Sequence, residues 1–207
     1  MRKMLVRAMT ILMVVGVASV VGAGVAAAQP SPQGGRRPAG PPPPLILQSN
    51  DVSDGAMLAT KLTCAAGPSA ISPELHWIQP PRGTASFTLI LHDMEPHPRK
   101  GIDDILHWMV WNLPATASLL PEDVSHATGD LPDGSHQTNG FVGRNGNFGY
   151  LPPCPPQNVS VPHHYAFELF ALDQKLDLPA NATRADVMKA MDGHIIGHSS
   201  IVAHFNR

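Results

Sequence analysis

The distribution of apolar and polar residues predicts a domain built mostly of β-strands. Five segments have the composition or alternation of strands and are separated by turn residues and prolines: Ala56–Leu62, Ala85–His92, Leu106–Leu113, Tyr165–Leu172 and Ser199–Phe205. In Ala85–His92, β-branched and aromatic residues occupy both faces, which is typical of a largely buried strand. The segment Tyr165–Leu172 alternates instead, so that one side carries Tyr165, Phe167, Leu169 and Ala171.

One helix is predicted near the C-terminal end of the chain. Thr183 and Asp186 have the spacing of a capping box in which Asp replaces the usual Glu. An apolar stripe that includes Val187 and Met191 follows, and Gly193 can end the helix. Together with the strands, this helix predicts a mostly antiparallel β-protein whose long loops carry the unusual residues.

The first 28 residues follow a different pattern. A positively charged start precedes an uncharged apolar stretch from Ala8 to Val25, and small residues continue to Ala28. This layout is typical of a secretory signal peptide (1–28) cleaved after Ala28, and it predicts an exported, periplasmic or secreted protein without a membrane span after cleavage. The alternative is an uncleaved membrane anchor, because about 18 apolar residues nearly span a bilayer.

The next segment separates this N-terminal stretch from the folded domain. Residues 29–44 are almost entirely proline, glycine and polar residues, which cannot bury a core and are expected to form an extended linker. Residues 45–207 are long enough for one domain of average size with a hydrophobic core.

Composition narrows the classes of function and raises one structural question. The formal net charge is −2 with histidine neutral, so the chain lacks the basic excess of a nucleic-acid-binding protein. The 11 histidines allow the charge to change between neutral and mildly acidic conditions. The two cysteines, Cys64 and Cys154, are a disulfide candidate in an exported protein. Two buried free thiols are the alternative.

The stretch from Gly143 to Asp173 combines glycines, four prolines around Cys154, and a His-His-Tyr run. Glycines such as Gly143 and Gly149 permit tight turns, and each proline fixes its φ angle, which lowers the cost of ordering the loop. No Gly-Lys-Ser or Gly-Lys-Thr follows the glycines, which argues against a nucleotide-binding P-loop. We therefore expect a loop that is stiff before any ligand binds.

Five motifs occur in an order that resembles one known family. They read SPELHW, DMEPHP, HWMVWNLP, GYLPPCPP and HHYAFELFALD, and they extend over about residues 56–205. Their combination resembles the phosphatidylethanolamine-binding protein family, in its bacterial Raf-kinase-inhibitor-like branch. The sequence departs from the family pattern in several places. Glu95 replaces a second aspartate, Pro96 and Pro98 do not have the usual spacing, Pro152 replaces a glycine, and His164 stands where arginine is common.

The resemblance implies a Greek-key-like antiparallel β-sandwich with a C-terminal helix and a small cleft near one end. The residues that it implies as ligand-binding are Asp93, His107, Trp108, Tyr150, Pro155, Pro156, His163 and Tyr165. Two imidazoles can donate hydrogen bonds to a phosphate-like group. Asp93 can accept a hydrogen bond from an ammonium or hydroxyl group at another end of the ligand.

These residues predict a binding protein, without a cofactor and without catalytic activity, for a small anion or a phospholipid headgroup. The resemblance also implies inhibition of a kinase or protease, and an exported protein fits a protease partner better than a cytosolic kinase. The alternative hypothesis is a metal-dependent or acid/base enzyme that uses Asp93, His107 and His163. No HExxH or other dedicated metal motif occurs in the sequence, and metal analysis would separate the two hypotheses.

Overall fold

The computed structural model describes residues 44–141, 146–158 and 160–207. The predicted signal peptide (1–28), all of the predicted linker except Pro44, and the turn residue Gly143 lie outside the described residues. In the described part of the chain, no helix is both long enough and apolar enough to cross a membrane.

Eight strands and one α-helix form the described domain. The strands are β1 (Ile46–Gln48), β2 (Leu75–Ile78), β3 (Ser86–Asp93), β4 (Ile105–Pro114), β5 (Leu119–Leu120), β6 (His136–Thr138), β7 (His163–Leu172) and β8 (Ile195–Phe205). The helix α1 is Arg184–Met191, and 3₁₀ helices occupy Thr60–Leu62, Cys64–Ser69 and Pro98–Lys100. A five-stranded sheet has the order β6-β4-β3-β7-β8, and a three-stranded sheet has the order β1-β2-β5.

The main core lies between the two sheets. It includes Trp77 from β2 and Phe87 from β3, whose ring centroids are 5.2 Å apart. The apolar side predicted for β7 is buried in this core, as the alternation of its residues indicated: Tyr165, Phe167, Leu169 and Ala171. All strand pairs within both sheets are antiparallel, so the predicted mostly β sandwich with a C-terminal helix is confirmed.

A second core covers the other face of the large sheet. Ile90 of β3 and Trp111 of β4 point away from the first core and pack with Val187 and Met191 of α1. This second layer explains why β3 has apolar residues on both faces, since each face is covered. The helix begins with the predicted capping box, in which the Thr183 side chain and the Asp186 side chain each bind the other's backbone N–H.

The predicted strand Ala56–Leu62 is wrong. Residues 60–62 form a 3₁₀ helix, and Met57 makes only an isolated bridge with His204 of β8. The physical reason is the burial pattern, because Leu58 and Leu62 are buried while the residues between them are exposed. A strand with a period of two would bury Thr60 together with Leu58 and Leu62, but Thr60 is exposed, and a spacing of four is close to one helical turn.

Candidate functional site

Three strand ends meet at one edge of the large sheet. Asp93 is the last residue of β3, and it is paired with Ile105 at the start of β4 and with Tyr165 near the start of β7. Because β4 and β7 are both antiparallel to β3, their first residues lie beside the end of β3. This topology brings Asp93, His107 and His163 to the same cleft, although they are far apart in the sequence.

A β-bulge directs His107 toward this cleft. Leu91 of β3 is paired with Trp108, whereas the next residue, His92, is paired with Leu106, so His107 has no partner on β3. An extra residue of this kind bends the strand and changes the direction of a side chain. Trp108 consequently remains in the core between the sheets while His107 lines the cleft.

The cleft has a volume of about 1010 Å³ and two walls that are held together covalently. One wall is the proline loop (residues 152–156), and the other is the turn that contains Gly67 and Pro68. A disulfide joins Cys64 to Cys154 with their Cα atoms 5.3 Å apart, and the Cys64 N–H donates to the Pro153 carbonyl at 3.0 Å. The disulfide and this hydrogen bond therefore hold the two walls together at the point where they are closest to each other.

Asp93 is a nearly buried carboxylate, with 3% of its surface exposed. Its Oδ2 lies 2.8 Å and its Oδ1 3.1 Å from Nδ1 of His163, and the Glu95 backbone N–H donates to Oδ1 at 3.2 Å. A carboxylate only accepts hydrogen bonds while ionised, so Nδ1 of His163 carries a proton. The second nitrogen of this ring, Nε2, has no hydrogen-bond partner among the described residues.

His107 differs from the expectation that both imidazoles donate to the ligand. Its Nδ1 lies 2.8 Å from the Leu151 carbonyl oxygen, which can only accept, so this nitrogen carries the proton. Burial lowers the pKa of His107 despite that hydrogen bond, so the ring is neutral at physiological pH. Nε2 of His107 then has a lone pair and acts as an acceptor, not as a donor.

Tyr165 lies behind the cleft, next to both imidazoles. Its ring contacts His107 edge to face with the centroids 5.3 Å apart, and it stacks on His163 at 6.5 Å. The hydroxyl is buried near the Asp93 carboxylate but has no well-formed hydrogen bond to any described residue. Burial and the nearby Asp93 charge raise the pKa of Tyr165, so the phenol remains protonated.

Trp108 and Tyr150 support the cleft from different positions. Trp108 is fully buried and donates from Nε1 to Oε1 of Gln137 at 2.9 Å. Tyr150 packs edge to face on Trp108, and its hydroxyl donates to the Leu62 carbonyl at 2.7 Å. Six of the eight predicted residues line the cleft, namely Asp93, His107, Tyr150, Pro155, Pro156 and His163. Trp108 and Tyr165 stand directly behind this lining.

Sequence reasoning missed several lining residues, and Arg207 is the most important for charge. Its Nε donates to the Pro155 carbonyl at 3.0 Å, which leaves the terminal guanidinium nitrogens without a described partner. The pairing of Phe205 with His163 brings this arginine to the cleft. The signal in the sequence is the predicted strand Ser199–Phe205, which ends two residues before Arg207.

Two residues of the cleft, Asp93 and His163, belong to a group of potential metal ligands that differs from the predicted one. Among the described residues, Asp93, Glu95 and His163 each offer a ligand atom, and these atoms lie within 4.8 Å of one another. His107 of the predicted set does not belong to this group. Glu95 is held by His164, whose backbone N–H donates to its Oε2 at 2.6 Å.

Comparisons with known proteins agree with this architecture. A family model described as "Phosphatidylethanolamine-binding protein" matches residues 48–206. A Methanothermobacter thermautotrophicus relative named "UPF0098 protein" is 35% identical and is aligned over 78% of this chain and 98% of its own. The Mycobacterium tuberculosis relative named "Putative lipoprotein LppC" is 32% identical over 78% and 72%. The crystal structure of Escherichia coli YbcL, described as a member of the mammalian PEBP family, has a TM-score of 0.66 at 30% identity and covers 79% and 98%.

Proposed function

The chain belongs to the phosphatidylethanolamine-binding protein family, whose model matches residues 48–206, and from this premise we propose that its cleft binds a small anion, either free phosphate or a phospholipid headgroup. The observation that carries the proposal is the meeting of His163 and Arg207 in one concave site. Both side chains have nitrogens that no described residue uses. Arg207 can always donate charge-assisted hydrogen bonds to an oxoanion, and Nε2 of His163 can do so when the ring carries protons on both nitrogens.

Rigidity of the cleft favours this role. The prolines and the Cys64–Cys154 disulfide hold the two walls before a ligand arrives. A binding site that is already ordered loses less conformational entropy on binding, so more of the interaction energy appears as affinity.

Calorimetric titration with phosphoethanolamine tests the proposal. His163→Gln retains a donor for Asp93 but removes the imidazolium, and it should weaken binding about tenfold to a hundredfold, the loss typical of one charge-assisted hydrogen bond. Arg207→Gln should have an effect of similar size. The matched control is His97→Gln, because His97 is exposed and outside the cleft lining. No measurable binding by the parent protein, or equal binding by parent and His163→Gln, would refute the role of the cleft.

A second candidate function is metal-dependent or acid/base catalysis, and the cluster of Asp93, Glu95 and His163 favours it. One imidazole and two carboxylates form a plausible set of ligands for a divalent cation. In this set of ligands Glu95 replaces His107, which belonged to the set predicted from the sequence. Elemental analysis of the purified protein decides between the candidates, since stoichiometric zinc, iron or manganese favours the enzyme.

We also infer that the protein is exported and that a protein target, such as a protease, is a second kind of partner. The signal-peptide-like N-terminus supports export, as does the relative whose name describes a lipoprotein. The disulfide fits an oxidising compartment. N-terminal sequencing of the mature protein should find Gln29 first, whereas Met1 retained on membrane-bound protein would contradict cleavage.

A further inference from the structure

The polar centre of the cleft presents acceptors as well as donors. The Asp93 carboxylate receives the His163 ring N–H and the Glu95 backbone N–H, and the buried Tyr165 hydroxyl lies near it. Its two oxygens can accept about four hydrogen bonds in total, which leaves capacity for a donor on a ligand. Nε2 of His107 is a second acceptor, because Nδ1 of that ring is committed to the Leu151 carbonyl. Both residues line the cleft. A ligand that is only an acceptor would leave both groups unsatisfied.

Asp93 also has an electrostatic consequence for an anionic ligand. Its carboxylate is almost completely buried, so little water screens its repulsion of a second negative charge nearby. A protonated His163 ring, 2.8 Å away, offsets part of this repulsion, and the neighbouring Glu95 carboxylate adds to it. An oxoanion that retains an acidic proton avoids this repulsion at close range, because its O–H donates a hydrogen bond to the carboxylate. The same acceptor that repels a fully deprotonated oxygen therefore attracts a protonated one.

We propose that the cleft selects oxoanions that carry an ionisable O–H, such as phosphate and phosphate monoesters in their monoanionic form, over sulfates and phosphate diesters. This proposal rests on the anion-binding function proposed above. In the proposed complex, His163 and Arg207 donate hydrogen bonds to the charged oxygens of the ligand. Asp93 and His107 accept the hydrogen bond from its O–H group. The ligand class is then a phosphomonoester, not the diester headgroup of an intact phosphatidylethanolamine.

Three small anions of equal charge isolate the effect of the proton. At pH 5.5 methyl phosphate is mostly a monoanion with one P–OH, because the second pKa of a phosphomonoester is about 6. Methyl sulfate and dimethyl phosphate are also monoanions but have no acidic proton. Measuring all three at one pH keeps the protonation of the protein constant, so differences in affinity come from the ligands.

Calorimetric titration of the parent protein should show that methyl phosphate binds at least about tenfold more tightly than methyl sulfate or dimethyl phosphate. This ratio is the difference in affinity that is typical of one hydrogen bond to a charged group. In Asp93→Asn the amide N–H can donate to an oxygen, so methyl sulfate should gain affinity and the ratio should approach one. His97→Gln, the exposed control, should retain the parent ratio. The ratio in the parent protein needs no variant, so a folding defect in Asp93→Asn does not remove the test.

Two further results separate this proposal from its alternatives. Equal binding of the three anions by the parent would overturn the selection for a proton while leaving an anion-binding cleft in place. Absence of binding by all three would refute the cleft function itself. Glycerophosphoethanolamine, a diester with an ammonium group, tests whether Asp93 binds the ammonium group of the ligand instead of an O–H group. If it binds as tightly as phosphoethanolamine, the proposed selection for an acidic proton is wrong.

Discussion

The strongest prediction for stability concerns His92, on the face of the large sheet away from the main core. Its Nδ1 contacts Asp104, and its Nε2 lies 3.1 Å from a Glu168 oxygen. Arg184 also contacts Asp104, and His198 lies 3.2 Å from the other Glu168 oxygen. Because each nitrogen of the His92 ring faces a carboxylate, the ring is expected to carry protons on both nitrogens.

The pKa of His92 gives the size of the effect. Burial alone would lower this pKa, but the hydrogen bonds to Asp104 and Glu168 raise it from 6.5 to about 9. At about 1.4 kcal/mol per pKa unit, this rise corresponds to roughly 3 kcal/mol of folding free energy. The side chain is only 12% exposed, so solvent screening reduces this value little.

The sign of the pH dependence follows from comparing the folded and unfolded states. The folded pKa is higher than the unfolded one, so the folded protein binds an extra proton between about pH 6.5 and 9. The stabilisation is complete below about pH 6.5 and is lost as pH rises through about 9. His92→Gln keeps a polar side chain of similar length but cannot bind this proton.

Denaturant unfolding at pH 6, 7.5 and 9.5, followed by tryptophan fluorescence, measures the effect. The difference in unfolding free energy between parent and His92→Gln should shrink by about 3 kcal/mol from the lowest to the highest pH. His97→Gln is the control, since His97 is exposed and forms no ion pair in the described part of the chain. Parallel pH profiles for the parent and His92→Gln would refute the reasoning.

Two other changes test the walls of the cleft and its support. Replacing Cys64 and Cys154 together by serine should lower the unfolding free energy by about 4–5 kcal/mol in the chain-entropy model, because the disulfide spans 90 residues. Denaturant unfolding of the oxidised parent and the variant measures this difference. Retained stability would show that the backbone contacts suffice. In Gly149→Ala the added Cβ would lie 2.5 Å from Oε1 of Gln137 and disrupt the hydrogen bond from Trp108 to this oxygen. The unfolding free energy should fall by about 1–3 kcal/mol, the cost of leaving buried polar groups unpaired. An unchanged melting temperature would mean that Gln137 moves without cost.

The sequence predicted the long strands and the helix, but it did not predict the short strands, whose residues are too few to show a pattern. The strands β3, β4, β7 and β8 are each at least eight residues long, so their composition and alternation could be recognised. The strands β1, β2, β5 and β6 have two to four residues, which is too short for a period to be seen. The strand β6 pairs with the long strand β4, whereas β1, β2 and β5 pair with one another and bury residues such as Trp77 against the large sheet. Their formation therefore depends on tertiary contacts.

The same distinction applies to the candidate site. The resemblance to a family indicated which residues line the cleft, and six of eight do so. It could not indicate the state of His107, because its tautomer depends on the Leu151 carbonyl, 44 positions away in sequence. It could not identify Arg207 either, since that side chain reaches the cleft through the pairing of β7 with β8 and the contact with Pro155.

The bulge in β4 connects the core to the chemistry of the cleft. A regular strand alternates sides, and β4 must place Trp108 in the core between the sheets and Leu106 in the core beneath α1. Two residues on opposite faces, separated by one position, are incompatible with a period of two. The unpaired His107 between them resolves this conflict, and its imidazole is free to line the cleft. Packing on both faces of the sheet thus fixes the position of this acceptor, and the Leu151 carbonyl fixes which of its nitrogens accepts.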